Sequence, residues 1–218
     1  MRITSLAIVL LSFSSFASAQ PVRDRAGTAE VGLQVVDMSS VTLSGEEGSG
    51  IRIGSDVGWG ITGGYHFTNR LAVMANWTWG KPSYDATRVL EDTGETDTIS
   101  ASLDVDTLQV KGVFYFLEGP LTPFIEAGLG WTYIDSNIVD GPPTTGCWWD
   151  PWWGYICQDF FDTYSETRTS YSAAVGIRWD LRTDITLSGS IGVLEVDTSR
   201  ATEDASLETF RVDLAWRF

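Results

Sequence analysis

The sequence is poor in basic side chains and in histidine. Its 218 residues include 14 Lys and Arg against 29 Asp and Glu, which gives a formal net charge of −15 at pH 7. A chain this acidic lacks the basic surface that contact with phosphates requires, so nucleic acid is not expected as a partner. One His and two Cys offer few ligands for a metal ion and few groups for His-dependent catalysis. No cofactor is expected.

Long apolar runs are also scarce. The one clear run, residues 3–11, follows Arg2 and precedes the small residues Ala17-Ser18-Ala19. This is the layout of a secretory signal peptide, so the sequence predicts a cleaved signal at 1–19 and a short periplasmic segment at 20–28. The run is too short to span a membrane as a helix, and no longer run follows. An exported soluble protein or a membrane β-barrel remains.

Apolar side chains recur at every second position. From Val57 to Phe67 the odd positions carry mostly large apolar residues and the even positions small or polar ones, which is typical of a β-strand. Seven further segments repeat the pattern, beginning at Val31, Leu71, Leu108, Ile125, Tyr171, Ile185 and Phe210. Tilted strands of about ten residues suffice to cross a bilayer. The sequence therefore predicts an all-β fold, an eight-stranded antiparallel up-and-down transmembrane β-barrel over 29–218.

Connection lengths and aromatic residues favour the membrane barrel. Three connections are short, and the long loops fall at about 39–54, 81–104, 135–168 and 197–207. Short turns on one rim and long loops on the other are the layout of outer-membrane barrels. Aromatic residues stand at both ends of several strands, as Trp59 and Phe67 do, which predicts two interfacial girdles. A soluble lipocalin-like carrier is the alternative, with its apolar face turned inward around a ligand.

Three segments resemble a known family. Residues 123–131, 174–181 and 210–218 resemble the fifth, sixth and last strands of eight-stranded outer-membrane barrels of the OmpA, OmpX and OmpW type, porin-like proteins of the Gram-negative envelope. The resemblance implies a bacterial outer-membrane location among lipids and lipopolysaccharide. It implies that Phe218 is an insertion signal read by the barrel-insertion machinery. No periplasmic second domain is expected after the barrel. It implies no single activity, because such barrels host pores, structural proteins, adhesins and enzymes.

The phase opposite to the apolar face points into the predicted barrel. Its charged members are balanced three to three and comprise Glu30, Lys111, Glu126, Arg178, Arg211 and Asp213. Buried charges are costly unless paired, and an eight-stranded barrel is barely wide enough for its own side chains. Two interpretations stay open: a salt-bridge plug, or a gated narrow pore in which the pairs exchange. Inward glycines such as Gly128 and Gly176 either relieve crowding of side chains, leave water-sized space or relieve curvature strain.

The third long loop, at 135–168, contains both cysteines. Cys147 and Cys157 are predicted to form a disulfide, because an exported chain passes an oxidising compartment. Between them lies an aromatic cluster made of Trp148, Trp149, Trp152, Trp153 and Tyr155. Exposed apolar clusters usually mark contact surfaces, so this loop is a candidate site for a surface ligand, a glycan or the lipid headgroup zone. The alternative is that the rings pack on the barrel mouth.

The remaining residues point to a non-enzymatic protein. Acidic residues are concentrated in the long loops, where they predict a solvated surface or, alternatively, bridging by divalent cations to lipopolysaccharide. The only histidine, His66, is placed inward near a short turn, whereas enzymes among barrels of this size use a catalytic His on the outer side. We therefore expect a structural, surface-interaction or narrow-pore role without catalysis. A channel of the OmpW type for small or hydrophobic solutes is the alternative.

Overall fold

The computed structural model is all-β and describes residues 24–44, 50–89, 96–198 and 205–218. The strands of the described residues are β1 (Ala29–Met38), β2 (Val41–Ser44), β3 (Gly50–Ile53), β4 (Asp56–His66), β5 (Leu71–Gly80), β6 (Ser83–Val89), β7 (Thr96–Ser102), β8 (Asp104–Tyr115), β9 (Leu121–Val139), β10 (Thr144–Asp150), β11 (Gly154–Phe160), β12 (Thr163–Asp180), β13 (Ile185–Val196) and β14 (Ala205–Arg217). Eight of them close a barrel in the order β1-β14-β13-β12-β9-β8-β5-β4. This confirms the predicted eight-stranded antiparallel barrel.

Strand register follows from the alternation of side chains. Where β1 and β14 close the barrel, inward Gln34 lies opposite inward Asp213, and outward Leu33 lies opposite outward Leu214. A slip of one residue would turn the polar side chains outward and the apolar ones inward. The seam ends at Ala29 and Phe218, whose backbones exchange hydrogen bonds of 3.0 and 2.9 Å. The alternation therefore specifies the closure of the barrel.

The barrel is apolar outside and polar inside. Its outer surface carries exposed aliphatic side chains between two levels of exposed aromatic rings. The long-loop end carries Trp59, Trp77, Trp79, Trp131, Tyr133, Tyr171 and Phe210, and the short-turn end carries Tyr65, Phe67, Phe114, Phe116, Trp179, Trp216 and Phe218. Inside, the buried apolar side chains of the described residues form two small clusters, one around Phe124 and one around Leu194. Among the described residues, no helix is long and apolar enough to span a membrane.

The predicted long loops are mostly paired strands, which corrects the boundaries expected from the sequence. β9 continues to Val139 and β12 begins at Thr163, so both enter the predicted loop 135–168, and β10 and β11 form a hairpin between them. Parts of 39–54 and 81–104 form a four-stranded sheet in the order β2-β3-β6-β7, and β14 begins at Ala205, inside 197–207. These strands have no strongly apolar face, so period-two analysis of hydrophobicity missed them. The predicted signal peptide lies outside the described residues.

Candidate functional site

The lower charge network lies in the lumen near the short turns. β1 places Glu30 opposite Arg178 of β12, whose Nη1 and Nη2 donate to Oε1 and Oε2 of Glu30 at 3.1 and 2.8 Å. Arg178 Nε also donates to Asp180 Oδ1 at 3.0 Å. His66 Nε2 lies 2.9 Å from Glu30 Oε2, and Tyr115 Oη lies 3.1 Å from Arg178 Nη1. These buried groups cross the lumen from β1 to β12.

The upper charge network lies on the long-loop side of the first. Glu126 of β9 accepts hydrogen bonds from Arg211 Nη1 and Nη2 at 2.8 and 2.7 Å, which is a bidentate pair. Lys111 Nζ donates to Glu126 Oε1 at 3.2 Å, and Arg211 Nε donates to Asp213 Oδ2 at 3.0 Å. The structure thus separates the six charged residues predicted for the interior into two groups, with Glu30 and Arg178 apart from the other four.

Arg25 closes the short-turn end and was not predicted as part of the interior. Its side chain is fully buried, and Nε donates to Asp180 Oδ2 at 3.0 Å. Nη2 donates to the carbonyl oxygen of Gly119 at 2.6 Å, and the guanidinium lies 5.2 Å from the ring centre of Tyr115. Arg217 Nη1 lies 3.6 Å from Asp180 Oδ2. Arg25, which precedes β1, is therefore hydrogen-bonded to the end of β12 and to the turn between β8 and β9.

Some of the missed residues carried a usable signal. Asp180 shares the inward phase of Arg178, and Arg217 shares that of Arg211, so extending the period-two pattern to the strand ends would have found both. Arg25 precedes the first strand, and no periodicity applies there.

Two small cavities flank the upper network. One of about 30 Å³ lies between the networks, and another of about 50 Å³ lies on the long-loop side. Each is of the order of one or two water molecules. Glu126 and Arg211 line both cavities and therefore stand between them. A Cβ on Gly128 would meet the side chain of Lys111, and one on Gly176 would meet the ring of Phe124, so both glycines leave room for neighbouring side chains.

The aromatic hairpin, β10 and β11 with their turn, is the second candidate site. The predicted disulfide is confirmed: Cys147 and Cys157 are directly opposite each other in the ladder and are bonded. Exposed fractions are 68% for Trp149, 81% for Trp152, 76% for Trp153 and 73% for Tyr155. Trp148, at 39%, lies 6.0 Å from Phe160 between ring centroids, and Trp152 and Trp153 lie 6.4 Å from each other. The rings therefore project into solvent and do not cover the barrel mouth.

A polar corner lies where β5, β8 and β9 leave the barrel. Asp104 accepts a hydrogen bond from Asn137 Nδ2 at 2.8 Å and lies 2.9 Å from Lys81 Nζ. Together these contacts lower the pKa of the Asp104 carboxyl below its ordinary value of 3.8, the Asn137 hydrogen bond being the larger cause. Asn137 itself adopts a positive φ of 53°, which Asn tolerates better than most residues. The corner ties β8 to β9 above the aromatic level.

Neither site resembles a metal centre. In the part of the chain that the structure describes, no three His, Cys, Asp or Glu side chains are grouped to hold a metal ion. His66 is buried, and within those same residues its Nδ1 has no hydrogen-bond partner.

Comparison with known proteins identifies the family. The model of the outer membrane protein beta-barrel domain matches residues 4–218. The chain belongs to this family. The short-turn rim of the family barrel faces the periplasm and the long-loop rim faces the outside, so the aromatic hairpin is extracellular. No curated protein matches the sequence.

Solved structures share the fold at low identity. OprG of Pseudomonas aeruginosa has a TM-score of 0.59 and 10% identity over 89% of this chain and 97% of its own. Neisserial surface protein A has a TM-score of 0.51 and 12% identity over 88% and 97%. Ail of Yersinia pestis, in complex with the heparin analogue sucrose octasulfate, has a TM-score of 0.50 and 13% identity over 88% and 99%. All three are similar to this chain in fold.

Proposed function

We propose that this protein is a closed outer-membrane barrel that holds the aromatic hairpin outside the cell for contact with another surface. One observation carries the proposal: the hairpin presents four exposed aromatic rings, at Trp149, Trp152, Trp153 and Tyr155, and β10 and β11 make their main contacts with each other. Exposed aromatic rings do not stabilise a loop that is surrounded by water. Exposed apolar clusters of this kind mark interaction sites.

The closed lumen supports a role on the surface rather than in transport. An ion that crossed the barrel would have to separate Glu126 from Arg211 and Glu30 from Arg178, and each pair is joined by two hydrogen bonds. Breaking a buried pair leaves an uncompensated charge, at a cost of about 3–5 kcal/mol. Arg25 fills the periplasmic end below both pairs. The barrel acts as a rigid support for the strands above it.

The acidic hairpin does not suit a polyanionic ligand. Between Gly112 and Thr167 the sequence contains no Lys, Arg or His. The sulfated sugar that Ail binds would meet only carboxylates in this part of the chain, and like charges repel.

Cell adhesion tests the proposed contact role. Cells that display the protein should adhere to surfaces or to one another more than cells that display a variant whose residues 144–160 are replaced by a two-residue turn. The barrel itself is left unchanged in this variant. Heat-modifiable gel mobility, measured for both proteins, verifies this. Equal adhesion of both kinds of cell would show that the hairpin has no contact role.

A narrow pore is the second candidate function. The observation that favours it is that Glu126 and Arg211 line the cavities on both of their sides, so movement of this one pair would join the cavities. A pore predicts that proteoliposomes with the unaltered protein swell in a permeant sugar or salt, and that Glu126→Gln changes the rate. The closed barrel predicts swelling no faster than in protein-free liposomes.

A further inference from the structure

Aromatic rings surround the tip of the hairpin on every side. In the ladder, Trp149 pairs with Tyr155 on the face that carries the disulfide, and Trp148 pairs with Ile156 on the opposite face. The turn between the strands adds Trp152 and Trp153. A partner that docks on one face of a hairpin needs aromatic rings on that face alone. Rings on both faces and on the turn instead suit immersion of the tip in an apolar or interfacial medium.

The charges of the hairpin indicate which kind of lipid surface it can approach. Its one carboxylate near the tip, Asp150, accepts hydrogen bonds from the backbone N–H groups of Trp152 and Trp153 at 2.8 and 3.2 Å and so caps the turn. At the base, Asp159 accepts a hydrogen bond from Thr145 at 2.6 Å. With no basic side chain, the hairpin has nothing to attract an anionic lipid surface, and its carboxylates are repelled by one.

The base of the hairpin lies above the outer aromatic level of the barrel. β9 runs six residues beyond Tyr133 of the outer aromatic level, which is about 20 Å of strand at 3.3 Å per residue. The ladder with β12 continues to the base of the hairpin, where Asp140 N donates to the carbonyl oxygen of Asp162 at 2.7 Å. The hairpin begins at this point.

We propose that the tip, residues 148–156, inserts into the headgroup region of a second bilayer whose surface is zwitterionic and rich in phosphocholine. Trp and Tyr rings favour that region because one end of the ring is apolar and the other forms hydrogen bonds. The choline group is a quaternary ammonium, which Trp faces attract, and it is complementary to the negative charge of the hairpin. This inference rests on the proposed contact function and names its partner.

Vesicle flotation tests the inference with the whole protein in nanodiscs. The probes are vesicles of phosphatidylcholine alone and of phosphatidylcholine with a third of phosphatidylglycerol. The test variant is Trp152→Ser with Trp153→Ser, and the matched control is Phe161→Ser with Tyr164→Ser, two exposed aromatic residues below the tip. Burial of two large rings predicts that the test variant loses association with phosphatidylcholine by at least about tenfold, whereas the control changes less than about twofold.

Other outcomes are equally informative. The anionic vesicles should bind less than the neutral ones, and reduction of the disulfide in the unaltered protein should weaken binding without any substitution. No association with phosphatidylcholine, equal loss in both variants, or stronger binding to the anionic vesicles overturns the lipid partner. If cell adhesion still depends on residues 144–160 in that case, the contact function stands and the partner is a glycan or a protein. If adhesion is also unchanged, both proposals fail.

Discussion

At the scale of single residues, the interior charges depend on their partners. Glu126 is buried between Arg211 and Lys111, and removal of either base leaves a carboxylate that is only partly compensated. We expect Arg211→Ala to lower the free energy of unfolding by about 3–5 kcal/mol. Urea unfolding in detergent micelles, followed by gel mobility, measures the change.

A surface ion pair provides the control for this prediction. Arg70 and Glu118 also lie 2.8 Å apart, but their side chains are 53% and 40% exposed at the periplasmic turns. Water screens such a pair, so Arg70→Ala should cost less than about 1 kcal/mol. Similar losses in Arg70→Ala and Arg211→Ala would contradict the account of the lumen.

Asp104 offers a pH-dependent prediction outside the membrane. Its pKa is lowered from 3.8 by Asn137 first and Lys81 second, so Asn137→Ala should raise it towards 3.8. Because the folded pKa is below the unfolded one, the stabilisation is complete above pH 3.8 and is lost as the pH falls through the lowered value. NMR titration of the Asp104 carboxyl measures this, and an unchanged pKa in Asn137→Ala would contradict the assigned cause.

The sequence predicted the interior residues to the extent that they obey the strand period. Glu30, Glu126 and Arg211 share the inward phase of strands with clear alternation, so their burial followed from the pattern. Which charges would pair did not follow, because pairing depends on strand order, tilt and side-chain reach across the lumen. Arg25 had no signal at all, since it enters the barrel from outside any strand.

At the scale of elements, the hairpin and the barrel should unfold independently. β10 and β11 contact mainly each other, and the disulfide joins Cys147 to Cys157 across them. We expect Cys147→Ser with Cys157→Ser to destabilise the hairpin locally by about 2–3 kcal/mol. Hydrogen exchange should then be faster in β10 and β11 while the heat-modifiable mobility of the barrel stays unchanged.

A matched variant separates the disulfide from its neighbours. Thr145→Ala removes the hydrogen bond to Asp159 at the base of the same hairpin but leaves the covalent link intact. It should raise exchange much less than the double Cys variant. Loss of the barrel fold in the double Cys variant would show that the hairpin is not independent.

The strands outside the membrane were the least predictable elements. In a bilayer every lipid-facing position must be apolar, which writes a period-two pattern into the sequence. Above the aromatic level both faces of β7 and β12 meet water, so residues such as Thr98, Ser100 and Ser165 carry no contrast between faces. Backbone pairing still continues there, because the backbone N–H and C=O groups form hydrogen bonds with the neighbouring strand.

At the scale of the whole molecule, charge and aromatic residues are separated by height. The paired charges fill the lumen, the aromatic rings mark both edges of the apolar band, and four Trp residues stand together on one extracellular hairpin. In the described part of the lumen, two small cavities lie on either side of the Glu126–Arg211 pair, and Arg25 covers the periplasmic end. Transport needs an open lumen, whereas surface contact needs a closed and rigid barrel that supports the hairpin.

Single-channel recording in a planar bilayer tests the closed barrel most directly. The unaltered protein should give no current steps at neutral pH, whereas a variant with Arg25, Glu30, Glu126, Arg178 and Arg211 all replaced by Ala should give steps. The replaced variant shows that inserted protein is present and detectable. Regular current steps from the unaltered protein would contradict the central claim that paired charges close the lumen.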